Sequence, residues 1–165
     1  YMQKTGKMLS GVILVAGIAA ILLFTQESAV SVPADGEGAA AALTGPVIAI
    51  GDVAIPVELA TTTVAVTKGL GGRDALTEDS GMLFIFEKPD RYRFWMMGMK
   101  FPLDLIWIAE GQVISIDENA PPGFDIEHPV FYKPPVPVTR VLEVNAGFVK
   151  KKGIAVGDKT VFSVY

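Results

Sequence analysis

The chain has 165 residues, of which 50% are hydrophobic, so it holds enough apolar material for the core of one ordinary domain. Its formal net charge of −4, with basic residues scattered except at 150–152, argues against a nucleic-acid partner. The absence of cysteine excludes disulfides, thiol catalysis and cysteine-ligated zinc, and the single histidine, His128, argues against a catalytic zinc site, so we expect no metal or other cofactor.

The amino-terminal segment has the pattern of a membrane anchor. Lys4 and Lys7 precede an uncharged apolar run over 8–24, close to the roughly 17 residues that a spanning helix needs at minimum. No clean small-residue cleavage site follows the run directly, so we predict an uncleaved signal anchor over 1–27. The basic flank would stay in the cytoplasm and place the rest of the chain outside it. Cleavage of the signal would instead make the protein secreted.

The next segment, 28–45, is rich in Ala, Gly and Ser and has no amphipathic period, which is typical of a flexible linker. The predicted organisation is therefore an anchor over 1–27, a linker over 28–45 and a folded domain over 46–165. The membrane is the first expected partner, through the anchor.

The folded domain opens with a predicted hairpin. Two β-branched runs, 46–50 and 53–59, are separated by Gly51 and Asp52, a pairing that favours a tight turn. Pro56 indicates that the second run is an edge strand or is bent. The following stretch, 60–68, has the composition of a strand, whereas its threonines and the glycine after it suit a capped helix.

The most informative stretch is FWMMGMKFPLD over 94–104, where three of the six methionines lie close together. Gly98 predicts a bend, and Pro102 predicts that the strand LDLIWIA begins directly after it. Asp104 is the one charge in that strand. Either it caps a turn by accepting backbone N–H bonds while Trp95 and Met96 are core, or the three residues line a pocket.

Short strands predominate in the rest of the domain. We predict strands over 82–86, 138–144 and 160–165, a turn over 88–90, a hairpin about Glu110 and Gly111, and a basic helix over 145–152. The segment 119–137 holds six of the eleven prolines and has no regular pattern, so it either covers the Trp95 region, offers a partner surface or wraps the core. Four acids in this half offer oxygens for a calcium ion only as a minor alternative to the expectation of no metal, because they lack EF-hand spacing: Asp117, Glu118, Asp125 and Glu127.

Several of these blocks, in this order, resemble the DUF192 (UPF0127) family. The blocks are Gly69 with Leu70 and Arg73, GMLF over 81–84, FWM over 94–96, PLD over 102–104, Glu110 with Gly111, and LEVNAGFVKKKGIAVGD over 142–158. The resemblance implies a compact, mostly β, jelly-roll-like domain and favours the helix over 60–68. It implies no known activity. Many members carry a lysine after the FWM block, where this chain has Met97, so a lysine-dependent role is not carried over.

The predicted fold is therefore mainly β, jelly-roll-like or a β-sandwich, with one or two short helices behind an amino-terminal transmembrane or signal-anchor helix. We predict a binding or accessory module of the cell envelope, for a glycan, a peptide or a small ligand, rather than an enzyme. The candidate ligand-binding residues are Arg73, Trp95, Met96, Asp104 and Glu118.

Two alternatives stay open. The first is a hydrolase that uses Asp104 and Glu118 as an acid and base pair, since paired carboxylates do such work when their environments differ. The second is a purely structural envelope protein without a concave site. Arg73 either binds the ligand or locks its loop by pairing with a carboxylate, for which Asp104 is one candidate.

Overall fold

The computed structural model describes residues 45–164, and this part of the chain forms seven strands and two short helices. In chain order they are β1 (Val47–Ile50), β2 (Val53–Ala60), α1 (Thr63–Lys68), β3 (Gly81–Asp90), β4 (Leu103–Ala109), β5 (Gln112–Ala120), β6 (Val138–Asn145), α2 (Phe148–Lys152) and β7 (Thr160–Ser163). The mainly β class is confirmed. The predicted anchor over 1–27 lies outside the described residues, as does the linker up to residue 44. Within 45–164, no helix combines the length and the hydropathy that crossing a membrane requires.

The strands form one sheet in the order β5-β4-β6-β3-β2-β1-β7, in which only β2 and β3 are parallel. The sheet curls until its two edges meet at one end. Gln112 bridges to Lys159 there, and the N–H of Thr160 donates to the carbonyl of Gly111 over 2.7 Å. The structure thus shows a curled seven-stranded sheet. This description is less specific than the jelly-roll-like or sandwich form expected from the sequence.

Both faces of the sheet are buried, which explains why every residue of β4 except Asp104 is apolar. Alternate residues of a strand point to opposite faces. Ile106 and Ile108 join an apolar cluster that includes α2, called here the α2-side cluster. Leu105 and Trp107 join the α1-side cluster, which α1, the loop over 69–80 and the segment over 92–101 cover. The indole N–H of the wholly buried Trp107 donates to Asp117 over 2.7 Å, so its polar atom is satisfied.

Local sequence chemistry accounts for the first elements. Gly51 has a φ of +54°, which suits the tight turn predicted between β1 and β2. Helix α1 is confirmed over the strand alternative, because the Thr62 hydroxyl accepts from the N–H of Ala65 and Gly69 ends the helix. Strand β2 is not an edge. Its residues up to Pro56 pair with β1, and pairing with β3 starts only at Val57.

Two predicted boundaries differ from the structure. Strand β3 runs on through Pro89 to Asp90, where a turn was predicted. Its pairing with β6 is irregular between Ile85 and Asp90, so the proline need not supply a ladder N–H there. Helix α2 begins at Phe148 rather than near 145, because Gly147 before it has a φ of +81°.

Asp104 holds three elements together. Between the pairs Leu103↔Ala120 and Leu105↔Asp117, one residue of β4 faces two residues of β5, which is a β-bulge. The Asp104 carboxylate accepts the N–H of Asn119 in this bulge over 2.8 Å. Its other oxygen accepts the N–H of Val149, in the first turn of α2, over 3.1 Å. The side chain is wholly buried, so these two bonds offset its loss of hydration.

We predict that Asp104→Asn destabilises the fold by about 2–3 kcal/mol, because the new amide group places a donor against a backbone donor and removes a charge-assisted bond. Chemical denaturation followed by tryptophan fluorescence measures the change. The matched control is Asp52→Asn in the exposed β1–β2 turn, for which we expect a change within about 0.5 kcal/mol. Equal stability of the two variants would contradict a structural role for Asp104.

Candidate functional site

A cleft of about 260 Å³ opens on the α1 side of the sheet, between the end of α1 and the segment over 92–101. We call it the Glu143 cleft. Leu70, Phe84 and Glu143 are buried and form its floor. Lys68 and Trp95 are exposed and stand at its rim. The cleft therefore runs from solvent to a carboxyl group through mainly apolar walls.

Two turns set the shape of this cleft. Gly98, with a φ of +75°, allows the chain to fold back so that the N–H of Met99 donates to the carbonyl of Met96 over 3.2 Å. The N–H of Gly72 then donates to the carbonyl of Gly98 over 2.9 Å. This bond ties the loop after α1 to the methionine turn. The bend predicted at Gly98 is thus confirmed, and it closes one side of the cleft.

Glu143 is the one acid in the apolar half of β6, and it was not among the residues predicted for the site. It lies opposite Met82 of β3, and strand alternation turns its side chain to the same face as Val141, which belongs to the α1-side cluster. The residue is 5% exposed. Burial raises the pKa of its carboxyl to about 8. Nothing in residues 45–164 donates a hydrogen bond to this carboxyl or forms an ion pair with it.

Three aromatic side chains form a surface cluster beside the cleft. The Trp95 ring lies 6.2 Å from that of Phe124 and 5.9 Å from that of Phe131, and the guanidinium of Arg93 lies 5.2 Å from the Phe131 ring centre. Trp95 nonetheless stays 43% exposed. The proline-rich segment over 119–137 thus covers the Trp95 region, which was one of its three predicted roles.

A second cleft, of about 250 Å³, lies on the other side of this aromatic cluster. We call it the loop cleft, because Phe124, His128 and Tyr132 of the proline-rich segment line it together with Met96. Met96 is 3% exposed and also packs in the α1-side cluster. Trp95 and Met96, predicted to share one pocket, therefore line different clefts.

The other predicted site residues lie away from both clefts. Arg73 pairs with Glu58 through two bonds of 2.6 and 2.7 Å, so the suggested pair with Asp104 does not form. This contact, mainly its hydrogen bond, lowers the pKa of Glu58. Asp104 binds backbone N–H groups, as described above, and Glu118 is exposed on β5. The structure brings none of these three to Trp95.

The suggested calcium ligands are also not gathered. Among residues 45–164 no group of three or more His, Asp or Glu side chains is placed to hold a metal ion. Asp117 accepts the Trp107 indole N–H. Asp125 accepts the backbone N–H of Glu127 and contacts His128, and these bonds lower the pKa of its carboxyl.

The Glu143 cleft has the composition of a small-molecule site. Its walls are aromatic and aliphatic, and a single group that can gain or lose a proton near neutral pH lies at its floor. Buried ionisable groups with shifted pKa values are concentrated at functional sites. The arrangement suits the binding of an apolar ligand that carries one polar end.

We predict that the free energy of unfolding falls by roughly 3–4 kcal/mol between pH 5 and pH 8, and that Glu143→Gln removes this fall. The folded protein keeps the Glu143 proton up to about pH 8, whereas an unfolded glutamate loses it near pH 4.5, so raising the pH favours unfolding. Urea denaturation at several pH values measures this fall in the free energy of unfolding. His128→Gln, which removes an exposed histidine, should leave the fall intact. A fall that persists in Glu143→Gln would contradict the assignment.

Comparison with known proteins gives one family and two similar structures. The family model DUF192, described as "Uncharacterized ACR", matches residues 47–162. A structure from Sinorhizobium meliloti 1021, described as a candidate transcription regulator, is 33% identical with a TM-score of 0.65, over 72% of this chain and 92% of that chain. A protein of unknown function from Novosphingobium aromaticivorans DSM 12444 is 29% identical with a TM-score of 0.65, over 75% and 89%.

None of the curated proteins matches the chain. The family match includes every strand described above except the last residue of β7, and it contains all the motif blocks on which the resemblance was based. The chain therefore belongs to the DUF192 family.

Proposed function

We propose that this protein is a binding module of the cell envelope, tethered to the membrane by its amino-terminal segment, with the Glu143 cleft as its site for a small ligand or the end of a glycan or peptide. One observation carries the proposal: a buried carboxyl group without a partner in the described part of the chain lines a cleft beside an exposed tryptophan.

The cost of this arrangement supports a binding role. A carboxyl group buried without a hydrogen-bond partner destabilises a fold, and packing alone would be served better by an apolar residue. A ligand that supplies the missing donor would offset this cost. Trp95 adds an aromatic surface at the rim, of the kind that commonly contributes much of the binding energy in a recognition site.

The tether rests on the sequence alone. The basic flank at Lys4 and Lys7 and the uncharged run over 8–24 support a single-pass anchor with the folded domain outside the cytoplasm. In such a place the domain would meet envelope components and small solutes rather than nucleic acid. Several exposed basic side chains already pair with acids, for example Lys100 with Asp74 and Lys151 with Glu78.

The two alternatives have less support. A hydrolase would need Asp104 free to exchange a proton with its substrate, but both oxygens of that buried carboxylate accept backbone N–H bonds. Glu118, its supposed partner, is exposed and lines neither cleft. A purely structural protein would have no use for a cleft with an unpaired carboxyl at its floor.

We predict that the thermal midpoint of the full-length chain rises saturably with at least one of four probes: N-acetylglucosamine, alanyl-alanine, hexanoate and hexylamine. A ligand at 100 times its dissociation constant stabilises the folded state by about 2.7 kcal/mol. Trp95→Ala should weaken binding about tenfold or more, because it removes the rim aromatic. Ile126→Ala, which removes an exposed apolar side chain outside both clefts, is the control. No response to any probe would count against a binding module.

We also predict that a reporter enzyme fused after residue 165, of a kind that folds only outside the cytoplasm, is active in the intact chain. Deleting 1–27 should abolish its activity, because the export signal is then lost. Membrane fractionation of the same fusion tests whether the anchor is retained. The tether would be refuted if the fusion is intact but its reporter is inactive and the chain is found in the cytosol. That result would not affect the proposal that the Glu143 cleft binds a ligand.

A further inference from the structure

Resting on the proposed binding function, we infer that the Glu143 cleft takes an ω-amino acid, a molecule with an unbranched apolar chain, a primary ammonium group at one end and a carboxylate at the other. The ammonium end would bind Glu143 at the floor, and the carboxylate end would lie at the rim near Lys68 and Arg93. Each of the three parts of the cleft selects one part of this ligand.

The floor selects a donor with positive charge. The Glu143 carboxyl has no hydrogen-bond donor among the side chains that line the cleft, and its neighbours there, Leu70 and Phe84, are apolar and buried. A primary ammonium brings three N–H donors and a charge opposite to that of the ionised carboxylate. Charge-assisted bonds of this kind are stronger than neutral ones, above all where water is excluded.

The walls select a narrow apolar chain. Val66, Phe94 and Met99 line the cleft and are half-buried, between the buried residues of the floor and the exposed residues of the rim in accessibility. Its volume of about 260 Å³ is below the roughly 300–1,000 Å³ of pockets that hold drug-sized ligands. The aromatic rings that line the cleft also attract an ammonium group through cation–π interactions. A short methylene chain fits this space and leaves the walls without unsatisfied polar groups.

The rim selects a negative charge. Lys68, in the last turn of α1, and Arg93 line the outer part of the cleft, and neither forms an ion pair with any residue in 45–164. These two cations would weaken the binding of a simple amine, whereas a carboxylate at the outer end of the ligand meets both. A ligand with opposite charges at its two ends therefore matches the cleft better than one with a single charge.

Binding has a proton signature that a packing role for Glu143 would not produce. The free carboxyl holds its proton at pH 7, and an ammonium ligand would drive it to ionise, so about one proton is released for each ligand bound. The other ionisable side chains that line the cleft are Lys68 and Arg93. Glu143→Gln would bind without proton release.

The test is isothermal titration of the full-length chain at pH 7 with 6-aminohexanoate, hexylamine and hexanoate, each in two buffers of different ionisation enthalpy. We expect 6-aminohexanoate to bind at least tenfold more tightly than either single-ended probe. Glu143→Gln should reduce its affinity at least tenfold and abolish proton release. Lys68→Gln should reduce it about threefold, and more at low salt, because the rim is open to solvent.

Two controls keep the result interpretable. Lys100→Gln removes an exposed lysine that pairs with Asp74 outside the cleft, and it should leave the affinity unchanged. Glu143→Asp keeps the charge but shortens the side chain, so it should retain part of the preference for the ammonium. Thermal unfolding of each variant establishes that it is folded before titration.

Four outcomes would overturn the inference. Tightest binding by hexanoate would make the cleft an anion site. Undiminished binding of 6-aminohexanoate by folded Glu143→Gln would place the ammonium elsewhere. Failure of 6-aminohexanoate to bind, while N-acetylglucosamine or alanyl-alanine does, would reject the ligand class and leave the proposed binding function standing. If no probe binds, both the ligand class and the proposed binding function are rejected.

Discussion

The fold depends on one buried carboxylate, that of Asp104. It joins the central strand β4 to a bulged amide of β5 and to the first turn of α2. Since α2 follows β6 after a two-residue connection, holding the helix also holds the end of β6. Glu143 lies on that strand, two positions before its end. A structural carboxylate on one strand thus helps to position the buried Glu143 carboxyl on the neighbouring strand.

The two buried acids differ in what surrounds them. Asp104 points toward the backbone N–H groups of Asn119 and Val149, and both donate to its carboxylate. Glu143 points to the opposite face, among apolar and aromatic side chains, and its pKa rises because burial disfavours the charged form. A carboxyl group therefore stabilises the protein in one place and lines a cleft in the other.

Local features were predictable from the sequence because their causes are local. The turn at Gly51, the cap at Thr62 and the bend at Gly98 each depend on neighbouring residues. The partners of Arg73 and the burial of Glu143 depend on segments distant in the chain that come to cover one face of the sheet. A lone acid in the apolar run VLEV was a usable signal for Glu143, but it does not reveal which face would be covered.

The single parallel pair in the sheet determines where the cleft can form. Parallel neighbours cannot be joined by a hairpin, so the chain between β2 and β3 has to return along the sheet before β3 begins. Residues 61–80, which include α1 and the loop beside the cleft, make this return. One wall of the cleft is therefore a product of topology rather than an insertion. Substitutions along it can reshape the cleft while every strand keeps its hydrogen-bonded neighbours, so that the cleft and the sheet can evolve separately.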